Sequence, residues 1–229
     1  MPKYETLLFD VDGTLLDFHQ AERTGLFTVL SQFGVPCTEQ TFLLYSGIND
    51  ALWKRFELGE ISREDILSSR FTLLFEALGV TADGEHAERA YRKALSLSHD
   101  LIDGANELLE RLNGRFAMYV VTNGVSETQY ARLAASGLDR YFTEIFVSED
   151  AGSQKPHPAF FTYCFARMSA FERNKALIIG DSLSSDILGG NNAGIATCWY
   201  NPDHLPNTIN AAVTHEIAEL GELCAILGV

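Results

Sequence analysis

Two aspartates stand two residues apart in Phe9-Asp10-Val11-Asp12-Gly13-Thr14, directly after a short apolar run. Carboxylates delivered to the end of a buried strand are costly unless they hold a cation or share work. Three further clusters have the same setting. Val120-Val121-Thr122-Asn123-Gly124 ends an apolar run in a hydroxyl and backbone N–H groups that lead into a helix and can bind a phosphate oxygen. Lys155-Pro156 offers a cation whose place is restricted by the following proline. Gly180-Asp181-Ser182-Leu183-Ser184-Ser185-Asp186 brings one acid to a strand rim and a second near the first turn of the next helix. Taken singly, each cluster has an ordinary reading: a strand-to-turn exit, a plain turn, a solvated loop lysine, an acid favoured by a helix dipole. Taken together, they supply Asp10, Asp12, Asp181 and Asp186 around Lys155 and Thr122. Hard carboxylate oxygens with no competing His or Cys cluster suit Mg²⁺, which keeps several waters and also takes phosphate oxygens.

Positioning these residues is a task for short strands buried on both faces. Thr6 to Phe9, Phe116 to Val121, Glu144 to Val147, Ala176 to Ile179 and Ile195 to Tyr200 are apolar runs bounded by turn residues, as such strands require. Helical patterns lie between them. Ser126-x-x-Gln129 has capping-box form and Gly137 stands where a C-terminal glycine would. Pro158 opens a helix to about Met168, and Ser184 or Ser185 caps another that ends near Gly194. Strand–helix alternation predicts an α/β fold with a parallel sheet, and ligands of such sheets bind at the carboxyl ends of the strands. All four clusters fall there.

Residues 18–100 differ, with no convincing strand. Leu26, Val29, Leu30 and Phe33 recur at helical spacing, Ser62-x-x-Asp65 reads as a capping box, and Glu85 to Leu97 gives one more helix. This predicts an all-helical domain of residues 18–100 inserted into a core of residues 1–17 and 101–229, with hinges near Asp17 and near Ile102-Asp103-Gly104.

Composition narrows the function classes. Of 229 residues, 46% are hydrophobic and 21% charged, ordinary for a globular chain and unlike a disordered or fibrous one. Seventeen Lys and Arg against 31 Asp and Glu give a net charge of −14. That surface opposes nucleic acid and anionic lipid, so neither is an expected partner. An anionic substrate then needs a local cation, which Mg²⁺ and Lys155 would supply. Cys37, Cys164, Cys198 and Cys224 are scattered, with no zinc or dithiol spacing. Together with an N-terminal stretch too short in apolar residues for a leader and no long apolar span, they predict a cytoplasmic protein.

The four clusters, in order, are DVDGT, TNG, KP and GDSLSSD, and with them the chain resembles the haloacid dehalogenase (HAD) superfamily of aspartate-nucleophile phosphatases. The resemblance covers essentially the whole chain, with the helical insert placed like a type-1 cap. It implies a Rossmann-like, three-layer parallel-sheet core and a mobile helical cap. It also implies that Asp10 is the nucleophile and that Asp12 is the general acid and then the base. Thr122, Asn123, Gly124 and Lys155 would bind the phosphoryl group. Asp10, the Asp12 carbonyl oxygen and Asp181 would ligate Mg²⁺, with Asp186 orienting Lys155 or a metal-bound water.

A finer resemblance narrows the substrate. Asn49-x-x-Leu52-Trp53, Gly59-x-Ile61, Arg70-Phe71, the run from Val121 through Gln129 and Arg132 to Leu138, and Ser185 to Gly194 followed by Thr197-Cys198-Trp199 are similar to bacterial pyrimidine 5′-nucleotidases of this superfamily. The implied substrates are UMP, dUMP, dTMP and modified analogues, with Phe18, Asn49, Trp53 and Arg70 as residues that could touch base or ribose. One departure is visible: the first motif of those enzymes can read D-x-D-E-T, and Gly13 stands here in the fourth place. The motifs bind only phosphate, so a sugar phosphate or phosphoglycolate is the alternative substrate. A phosphomutase would share Asp12, whereas a dehalogenase would lack it. The expected partner is a small phosphate monoester, with monomer and homodimer both open.

Overall fold

The computed structural model describes residues 3–229. Met1 and Pro2, where the N-terminal stretch read for a leader begins, lie outside the described residues. The elements run β1 (Thr6–Phe9), α1 (Phe18–Gln32), α2 (Glu39–Glu57), α3 (Arg63–Leu78), α4 (Gly84–Leu97), α5 (Ala105–Leu112), β2 (Ala117–Thr122), α6 (Ser126–Ser136) and β3 (Glu144–Val147). There follow α7 (Ser148–Ala151), α8 (Pro158–Phe165), β4 (Ala176–Gly180), α9 (Leu188–Ala193), β5 (Ala196–Tyr200), β6 (His215–Ile217) and α10 (Leu223–Leu227). The chain divides into two compact units, Met1–Phe18 with His99–Val229, and His19–Ser98.

In the first unit six strands form one sheet in the order β3-β2-β1-β4-β5-β6, and every pairing is parallel. Leu7 lies opposite Met118 and Leu177, and Phe9 opposite Val120 and Ile179. Successive side chains go to opposite faces. Leu7, Phe9, Val120, Leu177 and Ile179 pack with Leu108, Leu109, Leu112 and Leu133 on one side. Leu8, Tyr119, Val121 and Ile178 pack with Phe160, Phe161 and Cys164 on the other. The central strands β1, β2 and β4 are therefore largely apolar on both faces, and each fully buried Leu, Ile or Phe contributes about 1.5–3 kcal/mol. This is the three-layer, Rossmann-like α/β arrangement.

Some sequence expectations shift. A sixth strand, β6, has no counterpart among the apolar runs: it is three residues long at the sheet edge, and Ile217 alone among them is buried. Helix α8 ends at Phe165 rather than Met168. The cap of the helical segment after β4 is Ser182, whose side chain accepts from Ser185 N, rather than Ser184 or Ser185. It opens a π-helical turn over Leu183–Ile187 that runs into α9. The capping box at Ser126 does not form. Val125 is the N-cap of α6, Ser126 Oγ donates to Asp150, and the Gln129 side chain is drawn to Asp12.

The second unit is helical. Thr38 caps α2, Ser62 and Asp65 form a full capping box on α3, and Asp83 caps α4. Phe71, Tyr45 and Tyr91 pack ring to ring in its interior at 5.2–5.5 Å. Against them lies a buried polar chain: Arg70 forks onto Glu88 through Nε and Nη2, both at 2.7 Å, and Nη1 donates to Asn49 Oδ1. Asn49 Nδ2 in turn donates to Glu22 Oε1 at 3.0 Å.

Candidate active site

Strand order decides which residues meet. β1 lies between β2 and β4, so Asp10, Thr122 and Asp181 emerge side by side at three adjacent carboxyl ends. Asp10 N donates to Ile179 O at 2.9 Å, which carries the sheet's hydrogen bonding up to the acid itself. Lys155 arrives from the loop before α8 and is buried. Its Nζ donates to Asp10 Oδ1 at 2.6 Å, to Asp186 Oδ1 at 2.7 Å and to Val121 O at 2.7 Å. All three ammonium donors are thereby used.

The acids are held in turn. Asp186 Oδ2 accepts from Ser182 N at 3.1 Å, and a side chain at Gly180 would collide with Asp186. Thr14 Oγ1 donates to Asp181 Oδ1 at 3.4 Å, and Trp199 Nε1 donates to Asp181 O at 2.8 Å. Gly13 has φ +80°, and a Cβ there would lie 2.5 Å from Asp181 Oδ2. Glycine at the fourth place of the first motif thus meets both a backbone and a space requirement of this chain.

Carboxyl oxygens of Asp10, Asp181 and Asp186 lie within 4.8 Å of one another. Burial raises the Asp10 carboxyl well above the usual range; Lys155 opposes this, and Asp186, Asp181 and Asp12 add to it. Asp181 is exposed as a residue, but its carboxyl is crowded by protein, and that desolvation, then the Asp186 charge, pushes it up to about 7. Burial works against the charge on Lys155, and Asp10 and Asp186 outweigh it, holding the ammonium above its ordinary range. When all three are ionised, the carboxylates against one ammonium leave two negative charges uncompensated, the same crowding that raises Asp10 and Asp181. A divalent cation with a preference for hard oxygen fits that deficit and that donor set.

The second motif is used differently by its members. Thr122 is buried at the end of β2, and its Oγ1 accepts from Gly124 N at 3.1 Å. The Asn123 amide is bound to the Lys155 backbone in both directions, Nδ2 to O and Oδ1 from N, each at 2.9 Å. Asn123 therefore fixes the lysine segment against the β2 end. Asp12 is held from α6 instead: Arg132 Nη1 donates to its Oδ1 and Gln129 Nε2 to its Oδ2. Sequence reasoning assigned no role to Gln129, Arg132, Thr14 or Trp199. The available signal was spacing, because Gln129 and Arg132 share one face of α6.

Of the cap candidates, Phe18 belongs to the first unit, with the Arg132 guanidinium 5.9 Å from its ring centroid. Trp53 is partly buried in the helical unit and meets Phe56 edge-on at 5.6 Å. Asn49 is 1% and Arg70 3% exposed, both inside the polar chain described above, so contact with a ligand would require that chain to open.

Comparison with known proteins agrees with this geometry. The model of haloacid dehalogenase-like hydrolases matches residues 7–200. YfnB of Bacillus subtilis, named for the same hydrolase family, is 47% identical over all of this chain and 97% of its own. A crystal structure of YfnB bound to magnesium superposes with a TM-score of 0.95 over 99% of this chain and 100% of that one. The pyrimidine 5′-nucleotidase PynA of Streptococcus pneumoniae is 41% identical over 96% of this chain and 93% of its own. The pyrimidine 5′-nucleotidase YjjG of Escherichia coli is 33% identical over 98% of each. With the motif acids converging at the strand ends and the match running almost the length of the sheet, the chain belongs to the haloacid dehalogenase-like hydrolase family.

Proposed function

We propose that this hydrolase is a Mg²⁺-dependent phosphomonoesterase that releases phosphate from pyrimidine nucleoside 5′-monophosphates through an aspartyl-phosphate on Asp10. The observation that carries the phosphatase chemistry is the Asp10 carboxylate at the end of β1, held by Lys155 and flanked by Asp181 and Asp186. The nucleotide preference rests on the named activities of PynA and YjjG, which are 41% and 33% identical over 96% and 98% of this chain. The substrate is a small molecule, and the expected compartment is the cytoplasm.

In this reading an Asp10 oxygen attacks phosphorus while the bond to the ester oxygen breaks, splitting one hard displacement into two easier ones. Asp12 gives a proton to the departing alkoxide. It then takes one from the water that attacks the aspartyl-phosphate and frees Asp10. Thr122, Gly124 and Lys155 bind the phosphoryl oxygens, Gly124 N turning from Thr122 Oγ1 and Lys155 Nζ from Asp10 to do so, with Asn123 acting through its hold on Lys155. Asp10, Asp181 and the Asp12 carbonyl oxygen would hold Mg²⁺, with Asp186 holding Lys155. When bound, Mg²⁺ neutralises charge on the phosphoryl oxygens. Phe18, in the first unit, and Trp53, in the helical unit, remain the candidates for base contact, and Asn49 and Arg70 brace the helical unit.

Phosphate release is measured with Mg²⁺ on dUMP, UMP, dTMP, AMP, GMP, phosphoglycolate and hexose phosphates, with Asp10→Asn alongside. The pyrimidine monophosphates are expected to lead by about tenfold or more, roughly 1.4 kcal/mol of transition-state discrimination. A leading sugar phosphate or phosphoglycolate would overturn the nucleotide reading and keep the chemistry. Asp10→Asn activity above about a hundredth of wild type would remove Asp10 as nucleophile, given the far larger acceleration expected of such enzymes.

A further inference from the structure

The Asp12 side chain is held by two groups that lie outside the four acid-and-lysine motifs. Gln129 and Arg132 stand one turn apart on α6 and point to the same place. Gln129 Nε2 donates to Asp12 Oδ2 at 2.5 Å, and Arg132 Nη1 donates to Oδ1. Both are nearly sealed from solvent, Gln129 at 2% and Arg132 at 1% exposure. Two further features show that this contact is built. Gln129 Oε1 is buried with no hydrogen-bond partner among the described residues, so the amide orientation that serves Asp12 is kept although it costs a bond at its other end. A side chain at Gly124 would collide with the Gln129 amide, so the glycine of the second motif makes room for Gln129 to reach Asp12. Each carboxyl oxygen accepts one N–H here and keeps a second lone pair.

We propose that Gln129 and Arg132 are positioning residues that fix the direction of the Asp12 carboxyl group for proton transfer to the leaving ester oxygen. The proposal rests on the reading of Asp12 as proton donor. In that step the Asp10 oxygen–phosphorus bond forms, the phosphorus–ester oxygen bond breaks, and the proton passes from Asp12 to the ester oxygen. An alkoxide needs that proton, whereas p-nitrophenolate leaves without it. Misdirecting Asp12 therefore penalises an alkyl ester and spares an aryl ester at the first chemical step.

The test is kcat/KM on p-nitrophenyl phosphate and on the best alkyl ester of the panel, for wild type, Arg132→Met, Arg132→Lys, Gln129→Glu and Asp12→Asn. In Arg132→Met and Gln129→Glu the alkyl ester is expected to lose at least about thirtyfold more than the aryl ester, within the usual range for general acid catalysis. Arg132→Lys, which keeps a cationic donor, is expected to restore part of the alkyl rate. Equal losses on both esters in Arg132→Met and Gln129→Glu would mean a packing role and overturn the proposal. If Asp12→Asn separates the two esters and the α6 variants do not, the positioning inference alone fails. If Asp12→Asn itself lowers both equally, the reading of Asp12 falls and the inference with it. Should Arg132→Met lack the wild-type circular dichroism, Gln129→Glu and Arg132→Lys decide by the same ratio.

Discussion

At the scale of single residues, Lys155 holds the site together. It lies between two acids and a carbonyl, buried with them, and each of its donors is spent. A buried ion pair adds little net stability, but removing one partner leaves uncompensated charge in the interior. Lys155→Met should therefore lower stability by about 3–5 kcal/mol, read from urea unfolding in the presence of EDTA. A midpoint unchanged from wild type would show that Asp10 and Asp186 do not depend on the ammonium. Gly13, Gly124 and Gly180 matter at this scale too, because each leaves space for a particular side chain: Asp181, Gln129 and Asp186.

At the scale of elements, the helical unit carries its own electrostatic load. Glu22 accepts from Asn49 and Ser46, and burial, then the Asp50 charge, raises its carboxyl from 4.5 to about 7. The folded state therefore binds more protons than the unfolded state between these two pH values. Stability contributed by Glu22 is fully present below about 4.5, falls as pH rises to about 7, and is flat above that. The loss is on the order of 3 kcal/mol. Glu22→Gln should gain stability relative to wild type by roughly that amount between pH 5 and pH 8, in paired urea titrations. Parallel curves for the two proteins would show that Glu22 titrates normally. Comparing the pair cancels the raised carboxyls of the sheet site, which both proteins share.

For the whole molecule, a net charge of −14 and an acid triad with a single lysine pose one problem twice. Both the surface and the site oppose an anionic substrate, and a divalent cation relieves the site. Binding to the folded state alone stabilises it by mass action, about 2.7 kcal/mol at a hundred times Kd. Mg²⁺ should therefore raise the thermal midpoint over an EDTA sample, and Asp181→Ala should lose most of that rise. An equal rise in Asp181→Ala would take Asp181 out of the metal shell. The readout needs no substrate, so it stands apart from the activity panel.

Much of this was legible in order along the chain. The five longer strands, the helical insert, the Ser62 capping box and the acid motifs follow from runs, periods and turn residues that are local in sequence. β6 was not legible, because three edge residues with one buried side chain carry no pattern. The Ser126-x-x-Gln129 capping box does not form for a related reason. Its spacing was right, but Gln129 finds a stronger partner in Asp12, 117 residues away. Local sequence determined which residues end each strand and so which acids can reach one rim. The tertiary structure alone decided that β1 lies between β2 and β4, that Asn123 serves Lys155, that Arg70 closes on Glu88, and that α6 holds Asp12. Those pairings join residues distant in the chain, and the energies that select them, burial of charge and exchange of water for protein donors, exist only once the sheet and helices have closed around them.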